Sequence, residues 1–579
     1  MLRAVTPFSV ILTKVRTQSH NPHRTPTVIL TKVRIQSHER YPVLPWILTF
    51  VRMTAERDGR TAARPRPQLA PVATGCDTKP LDEGRGIASC LPPMSRVRAF
   101  LLMPVLLAGC SVGPDYRPKA AAELGVPDAY SVTPATSPED LTRWWQRFDD
   151  PVLGQLVEQA AATNLDIAQS VARLRQARES LVQNRASLLP TLSGSGGYQR
   201  NENLRGGGRS FTLPDGTVVD TGGGGTNSFT LGASASYQVG VFGEIRRTIE
   251  ASRAEYAASG FDYATVLISI ESEVARNYVL ARLYQQQLAN ARASLTIQDD
   301  NLEIAGFRVQ AGLVSSLDQE QARAQRAQTA ATIPSLDQQY AAAVARIGVL
   351  TGQAPGALRP LLAPVKPIPV GPKAVGVGIP GDTLRQRPDI RSAERALAAA
   401  TARIGVAKAQ LYPALAITGN INTNATSIGN IGDAITGGLF AGLTQAIFNG
   451  GRLRSQVRTS EAAADGALAF YKSTVLTALE DVENAVVALQ TAQERERQFA
   501  IALDAANNSA ILSRSQYRTG LTDFTTLNQQ EVALLSARNG ATQARADAAT
   551  ALVALYAALG GGWDATVIPQ APISNPEAR

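Results

Sequence analysis

Residues 164–190 align without a gap on residues 387–413, at an offset of 223. Asp166-Ile167 matches Asp389-Ile390. Leu174, Ala177, Ala186, Leu188 and Pro190 match Leu397, Ala400, Ala409, Leu411 and Pro413. A tandem duplication constrains the fold more than any single motif can. One plan is executed twice, and what both halves lack must come from another copy of the chain.

The plan begins as helix. From Pro151 to Leu189 apolar residues recur at helical spacing (Leu153, Leu156, Val157, Ala160, then Ile167, Ala168, Val171, Leu174) until Pro190 stops the run. The period then drops to two. Phe229, Leu231, Ala233, Ala235, Tyr237, Val239 and Val241 alternate with Thr230, Gly232, Ser234, Ser236, Gln238 and Gly240. Such alternation describes a strand with one wet and one greasy face. Its partner lies near 191–200, across a Gly-rich segment that reads as a flexible loop. Next comes a Pro-free helix over 243–309, roughly 100 Å long at ~1.5 Å per residue. A turn at Ala311-Gly312-Leu313 leads to a return helix over 317–350, with Pro334 marking a kink.

After a Pro-rich linker the plan repeats. Leu415, Ile417 and Ile421 alternate with Ala416, Thr418 and Asn420, and a return strand is expected at 438–448. A second Pro-free helix spans 452–518. Its turn, Thr519-Gly520-Leu521, matches the first at an offset of 208, the second hairpin loop being shorter. The organisation expected is a first repeat over 151–351 with a β-hairpin at 191–241, a linker over 352–381, and a second repeat over 382–560 with a hairpin at 414–448. A tail follows over 561–579. Trp144, Trp145 and Phe148 precede the first repeat as an aromatic anchor that packs on a neighbouring element.

Four strands per chain cannot close a membrane barrel, whose minimum is about eight. Open strand edges are forbidden in lipid, so several chains must share one barrel. The expected fold is mainly α with a membrane β-barrel.

Upstream, Arg96 and Arg98 precede an apolar run that ends in Leu107-Ala108-Gly109-Cys110. A basic region, an apolar core and a small-residue cleavage site make a signal peptide over 94–109. The cysteine resembles the lipidation site of bacterial lipoprotein signals, with Leu107, Ala108 and Gly109 as the lipobox. Residues 110–150 then form a Pro-bearing tether. Residues 1–93 read as a misassigned upstream extension, with Met94 as the start. Within them Val10–Arg16 recurs as Val28–Arg34, as a repeated DNA element would when translated.

The formal charge of +9 invites a nucleic-acid reading, but residues 1–110 alone carry +10. The 469 residues beyond hold 41 basic and 42 acidic side chains, so the electrostatic case for nucleic acid disappears. His20, His23, His38, Cys76 and Cys90 also lie upstream. Beyond Cys110 there is no histidine or cysteine for acid/base work, nucleophilic attack or a nitrogen or sulfur metal site. No enzyme, metal or cofactor is expected apart from the covalent lipid on Cys110.

Taken in order, the lipobox, Trp144-Trp145, Arg387-Pro388-Asp389-Ile390-Arg391, Ala409-Gln410-Leu411-Tyr412-Pro413, Phe448-Asn449-Gly450-Gly451-Arg452 and Tyr517-Arg518-Thr519-Gly520-Leu521 resemble the outer membrane factor family. The likeness is to its TolC/OprM type and NodT-type efflux lipoproteins. It implies a homotrimer with a 12-stranded barrel in the outer membrane above a long helical tunnel through the periplasm. It implies an exit duct for a tripartite efflux or secretion system, passively conducting small molecules when docked to a periplasmic adaptor and an inner-membrane RND-type pump. A periplasmic coiled-coil scaffold is the alternative that the helices alone would allow. The resemblance places adaptor contacts at Gly312, Leu313 and Val314 and at Gly520, Leu521 and Thr522. It places a gate in acids after the second turn, where this chain has Asp523 but Asn528 further along. Asp523 equally fits a helix N-cap.

Overall fold

The computed structural model describes residues 111–132, 140–202, 209–221, 225–567 and 569–570. The upstream extension and the signal, with Leu107, Ala108, Gly109 and Cys110, lie outside the described residues.

The first repeat opens with α1 (Pro151–Thr163) and α2 (Leu165–Ala186). The single helix expected over 151–189 is thus broken, and Asn164 breaks it. Its Oδ1 accepts from the backbone N–H groups of Asp166 and Ile167 at 2.8 and 3.0 Å, capping α2. Its Nδ2 donates to the carbonyl of Leu350 at 2.8 Å. The break therefore also ties α1 and α2 to the far end of the repeat.

Strands β1 (Thr191–Asn201), β2 (Arg209–Thr212), β3 (Val218–Thr221) and β4 (Thr226–Val239) follow. The flexible loop expected between the hairpin arms instead carries the antiparallel β2–β3 ribbon. Then come α3 (Glu244–Gln310, 67 residues) and α4 (Ser316–Leu350), which runs unbroken through Pro334. The linker holds α5 (Arg359–Leu362) and α6 (Pro380–Gln386). The second repeat is α7 (Pro388–Ala409), β5 (Ala414–Ala425), β6 (Ile435–Thr444), α8 (Arg452–Thr519, 68 residues) and α9 (Phe524–Ala558). The order helix, hairpin, very long helix, return helix thus occurs twice. The second return strand sits about three residues earlier than the alternation suggested.

The main core lies around the helices midway along their length. It joins α1, the stretch of α3 from Ile270 to Leu283, the ends of α4 and α9, and the stretch of α8 from Val482 to Leu489. Trp144, Trp145 and Phe148 are buried in it, with the Trp144 ring stacked on Tyr556 at 5.5 Å. The expected aromatic anchor is present, and its neighbour is the end of α9.

Candidate functional site

The two hairpins merge into one antiparallel sheet, in the order β1-β4-β5-β6. Register decides which side chains share a face, because residues opposite each other across a ladder point the same way. Ala235 of β4 lies opposite Leu192 of β1 and Gly419 of β5, and Gly419 lies opposite Leu439 of β6. The same face carries Phe229, Leu231, Ala233, Tyr237, Val239, Leu415, Ile417, Ile421, Ile435 and Leu443. The other face carries Ser193, Ser195, Ser234, Ser236, Gln238, Asn420, Asn422 and Thr436. So the alternation seen along one strand extends across the sheet, apart from Phe440 on the polar face and Arg200, Asn227 and Thr423 on the apolar one. The greasy face is uncovered: Leu192 is 80% exposed and Leu439 83%. Among the described residues, no strand lies beside the outer edges of β1 and β6. A sheet that is apolar, exposed and open at both edges is an aggregation hazard in water.

The long helices end in turns that the fold brings together. After α3 the backbone enters the left-handed region at Gly312, with φ of 70°. The Leu313 N–H returns to the Arg308 carbonyl at 2.9 Å. After α8, Gly520 has φ of 78°, and the Leu521 N–H returns to the Gln516 carbonyl at 2.8 Å. Both are left-handed C-terminal caps that glycine adopts without steric cost. Arg308 reaches from one tip to the other, donating to the carbonyl of Tyr517 and lying 4.3 Å over its ring. Ala305, Ala322, Tyr517, Phe524 and Leu527 form a small core just behind the tips. Leu313 and Leu521 stand outside it, 73% and 80% exposed. Asp523 caps α9, its carboxylate accepting from the Thr526 N–H at 2.7 Å. That hydrogen bond holds its pKa below the usual carboxylate range.

The chain matches the family model of the outer membrane efflux proteins over residues 156–353 and 379–561, well over half its length. The chain belongs to that family. It is 32% identical over 464 residues to nodulation protein T of Rhizobium leguminosarum bv. trifolii, a match covering 79% of this chain and 96% of the relative. It is 32% identical over 426 residues to the pyoverdine export outer membrane protein OpmQ of Pseudomonas aeruginosa, covering 73% and 88%. Among solved structures, the outer-membrane channel OprN superposes with a TM-score of 0.69 at 33% identity, over 78% of this chain and all of the other. This efflux protein is therefore an outer membrane channel that extends into the periplasm, and it is not an enzyme.

Several residues of this efflux protein hold its shape in ways that the sequence reading missed. Arg387, the first residue of the Arg-Pro-Asp-Ile-Arg motif, is 9% exposed. It grips Asp389 at 2.6 Å, Asp481 at 3.1 Å and the Ala558 carbonyl at 2.9 Å, joining α7, α8 and the end of α9. Arg391 of the same motif donates to the Ala565 carbonyl at 2.6 Å and lies over the rings of Phe261 and Trp563. The motif is a clamp on the C-terminal segment, within which Trp563 is buried. Glu271 on α3 is 2% exposed, and burial pushes its pKa up to about 9. Among the described residues, no group of three or more His, Cys, Asp or Glu could hold a metal ion. No described helix is long and apolar enough to cross a membrane.

Proposed function

We propose that three copies of the chain share one 12-stranded barrel, β6 of each pairing with β1 of the next. The apolar face turns to lipid and the polar face lines the passage. The observation that carries this reading is the four-stranded sheet itself, with its uncovered apolar face and two open edges. Backbone edges in lipid must be paired, and three such sheets in a ring leave none. The helices α3 and α8, each about 100 Å long, hang from the barrel as a tunnel wall. A scaffold of coiled coils would have no use for such a sheet.

Lipid on Cys110 adds a second anchor. The N-terminal segment supports it: Val112 donates to the carbonyl of Phe242, and Arg247 pairs with Asp115 at 2.6 Å. A Cβ on Gly243 would lie 2.9 Å from the Ser111 hydroxyl. The residue after Cys110 is thus pinned where strand β4 gives way to α3, at the height where a lipid tail enters a bilayer. The tips at Gly312-Leu313-Val314 and Gly520-Leu521-Thr522 dock a periplasmic adaptor, which links the duct to an inner-membrane RND-type pump. Exposed leucines on two rigidly paired turns suit that contact. Asp523, one per chain, rings the narrow end as the gate. The duct itself is passive; the pump supplies the driving force.

The test is assembly. Outer-membrane fractions should yield an SDS-resistant species of three chains that collapses to monomer on boiling. Purified trimers should form channels in planar bilayers. A monomer that resists extraction yet conducts nothing would refute the three-chain reading.

A further inference from the structure

We propose that Phe440 forms an aromatic collar inside the barrel that contacts cargo, selecting for aromatic and apolar solutes as they pass from tunnel to barrel. The inference rests on the three-chain reading above. Phe440 lies opposite Thr418, Thr418 opposite Ser236, and Ser236 opposite Thr191. It therefore stands on the polar face, with Ser234, Asn420 and Asn422, and not with its neighbour Leu439. Every other paired position on that face carries Gly, Ala, Ser, Thr, Asn or Gln. Phe440 is the sole large apolar side chain there, and none of those positions bears a charge.

The surroundings make room for the ring. Gly438 and Gly442, two residues away on either side, share its face. A Cβ added to Gly442 would sit 2.6 Å from Cε1 of Phe440, so the ring lies back over Gly442 along the wall. It remains 67% exposed. A core residue would be covered, and a lipid-facing one would share a side with Leu439 and Leu443. This ring does neither. Its height is near the helical end of the sheet, since Thr191 is the first residue of β1 and Thr418 the fifth of β5. With three chains, three rings stand at one level of an uncharged, hydrogen-bonding wall. An aromatic face there offers stacking and dispersion to a passing solute where the rest of the wall offers hydrogen bonds.

The chain beyond Cys110 has no other cysteine, so single cysteines report cleanly. Wild-type, Phe440→Cys and Leu439→Cys trimers in lipid bilayers are treated with a charged, membrane-impermeant maleimide. Phe440→Cys should react and lose conductance, while Leu439→Cys stays protected by lipid. Ethidium added to the bath should dwell in the wild-type channel. Its dwell time should shorten roughly two- to tenfold in Phe440→Ala, the range expected for one lost aromatic contact. Gly442→Ala should push the ring off the wall and lower conductance with trimer yield unchanged. Equal labelling at 439 and 440 would overturn the face assignment and the barrel with it. The expected labelling with unchanged ethidium dwell in Phe440→Ala would overturn the collar alone.

Discussion

An arginine placed on either face of β4 distinguishes lipid from water directly. The strand has 14 residues, roughly 48 Å of chain at ~3.4 Å each. At a tilt of roughly 40° it covers about 36 Å of height, more than the ~25 Å apolar band of an outer-membrane barrel. Its midpoint falls at Gly232 and Ala233. Ala233 lies between Gly194 and Ile421 on the apolar face, and Ser234 lies between Ser193 and Asn420 on the polar one. Arginine at the midplane of the lipid face costs about 2–4 kcal/mol per chain. Three copies make roughly 6–12 kcal/mol per trimer if the sites act independently. Ser234→Arg enters a water-filled lumen and gives up only a hydroxyl contact with Ser193 at 2.9 Å. Urea titration of trimers in lipid vesicles, with the SDS-resistant fraction as readout, measures the difference. Ala233→Arg should abolish or sharply lower the trimer fraction, and Ser234→Arg should leave it near wild type. Equal loss at both positions, or greater loss at Ser234, would refute the assignment of faces.

Gly312→Pro removes both the left-handed backbone and the N–H that donates to Val309, and Leu521→Asp charges the second tip; export should fail in each while trimers persist, and normal export would free the tips of an adaptor role. Asp523→Ala should fray the start of α9, and as a gate it should also raise single-channel conductance and admit large antibiotics; unchanged conductance would leave it a cap alone. The cap bond lowers the Asp523 pKa, so its contribution is present above the ordinary carboxylate pKa and lost as pH falls through the lowered one. Cys110→Ser should accumulate unlipidated precursor with assembly slowed, because one acyl chain binds marginally and the barrel is the stronger anchor; mass spectrometry of wild-type protein showing a bare Cys110 would end that claim. Glu271 keeps in the fold, up to about pH 9, a proton that the unfolded chain gives up near pH 4.5, so stability falls as pH rises between the two, by at most about 1.4 kcal/mol per unit per chain. Glu271→Gln should flatten that dependence, and identical melting profiles from pH 5 to 8 would refute the buried neutral acid.

The repeat, the long helices and the strand faces were legible because each is a periodic burial pattern that local sequence must obey. What escaped was set by single polar contacts and by departures from period. Asn164 breaks the first helix without Gly or Pro, through hydrogen bonds to Asp166, Ile167 and Leu350. The β2–β3 ribbon was hidden by the Gly-rich composition around it, although Pro214-Asp215-Gly216 between apolar residues is a turn signal with a mechanism. The second return strand runs from Ile435 to Thr444 and not over 438–448, and Phe440 on its polar face departs from the alternation that marks the other strands. At the tips, the offset between repeats paired Gly312 with Gly520, but nothing in it announced that Arg308 would bridge them. The role of Arg387 was equally invisible, since Asp481 lies 94 residues away.

The open edges of β1 and β6 also govern how fast the protein can be made. A lone protomer has no finished form to reach: inserted alone it would bare two backbone edges to hydrocarbon, and left in water it bares its leucines. On the three-chain reading, completion requires three chains to meet, so the yield of barrels should climb more steeply than the supply of subunits, while one subunit's losses to clumping begin as soon as two stray sheets touch. On the same reading, a given amount of subunit released in a burst at one spot on the membrane should leave a smaller fraction degraded than a trickle spread over the envelope.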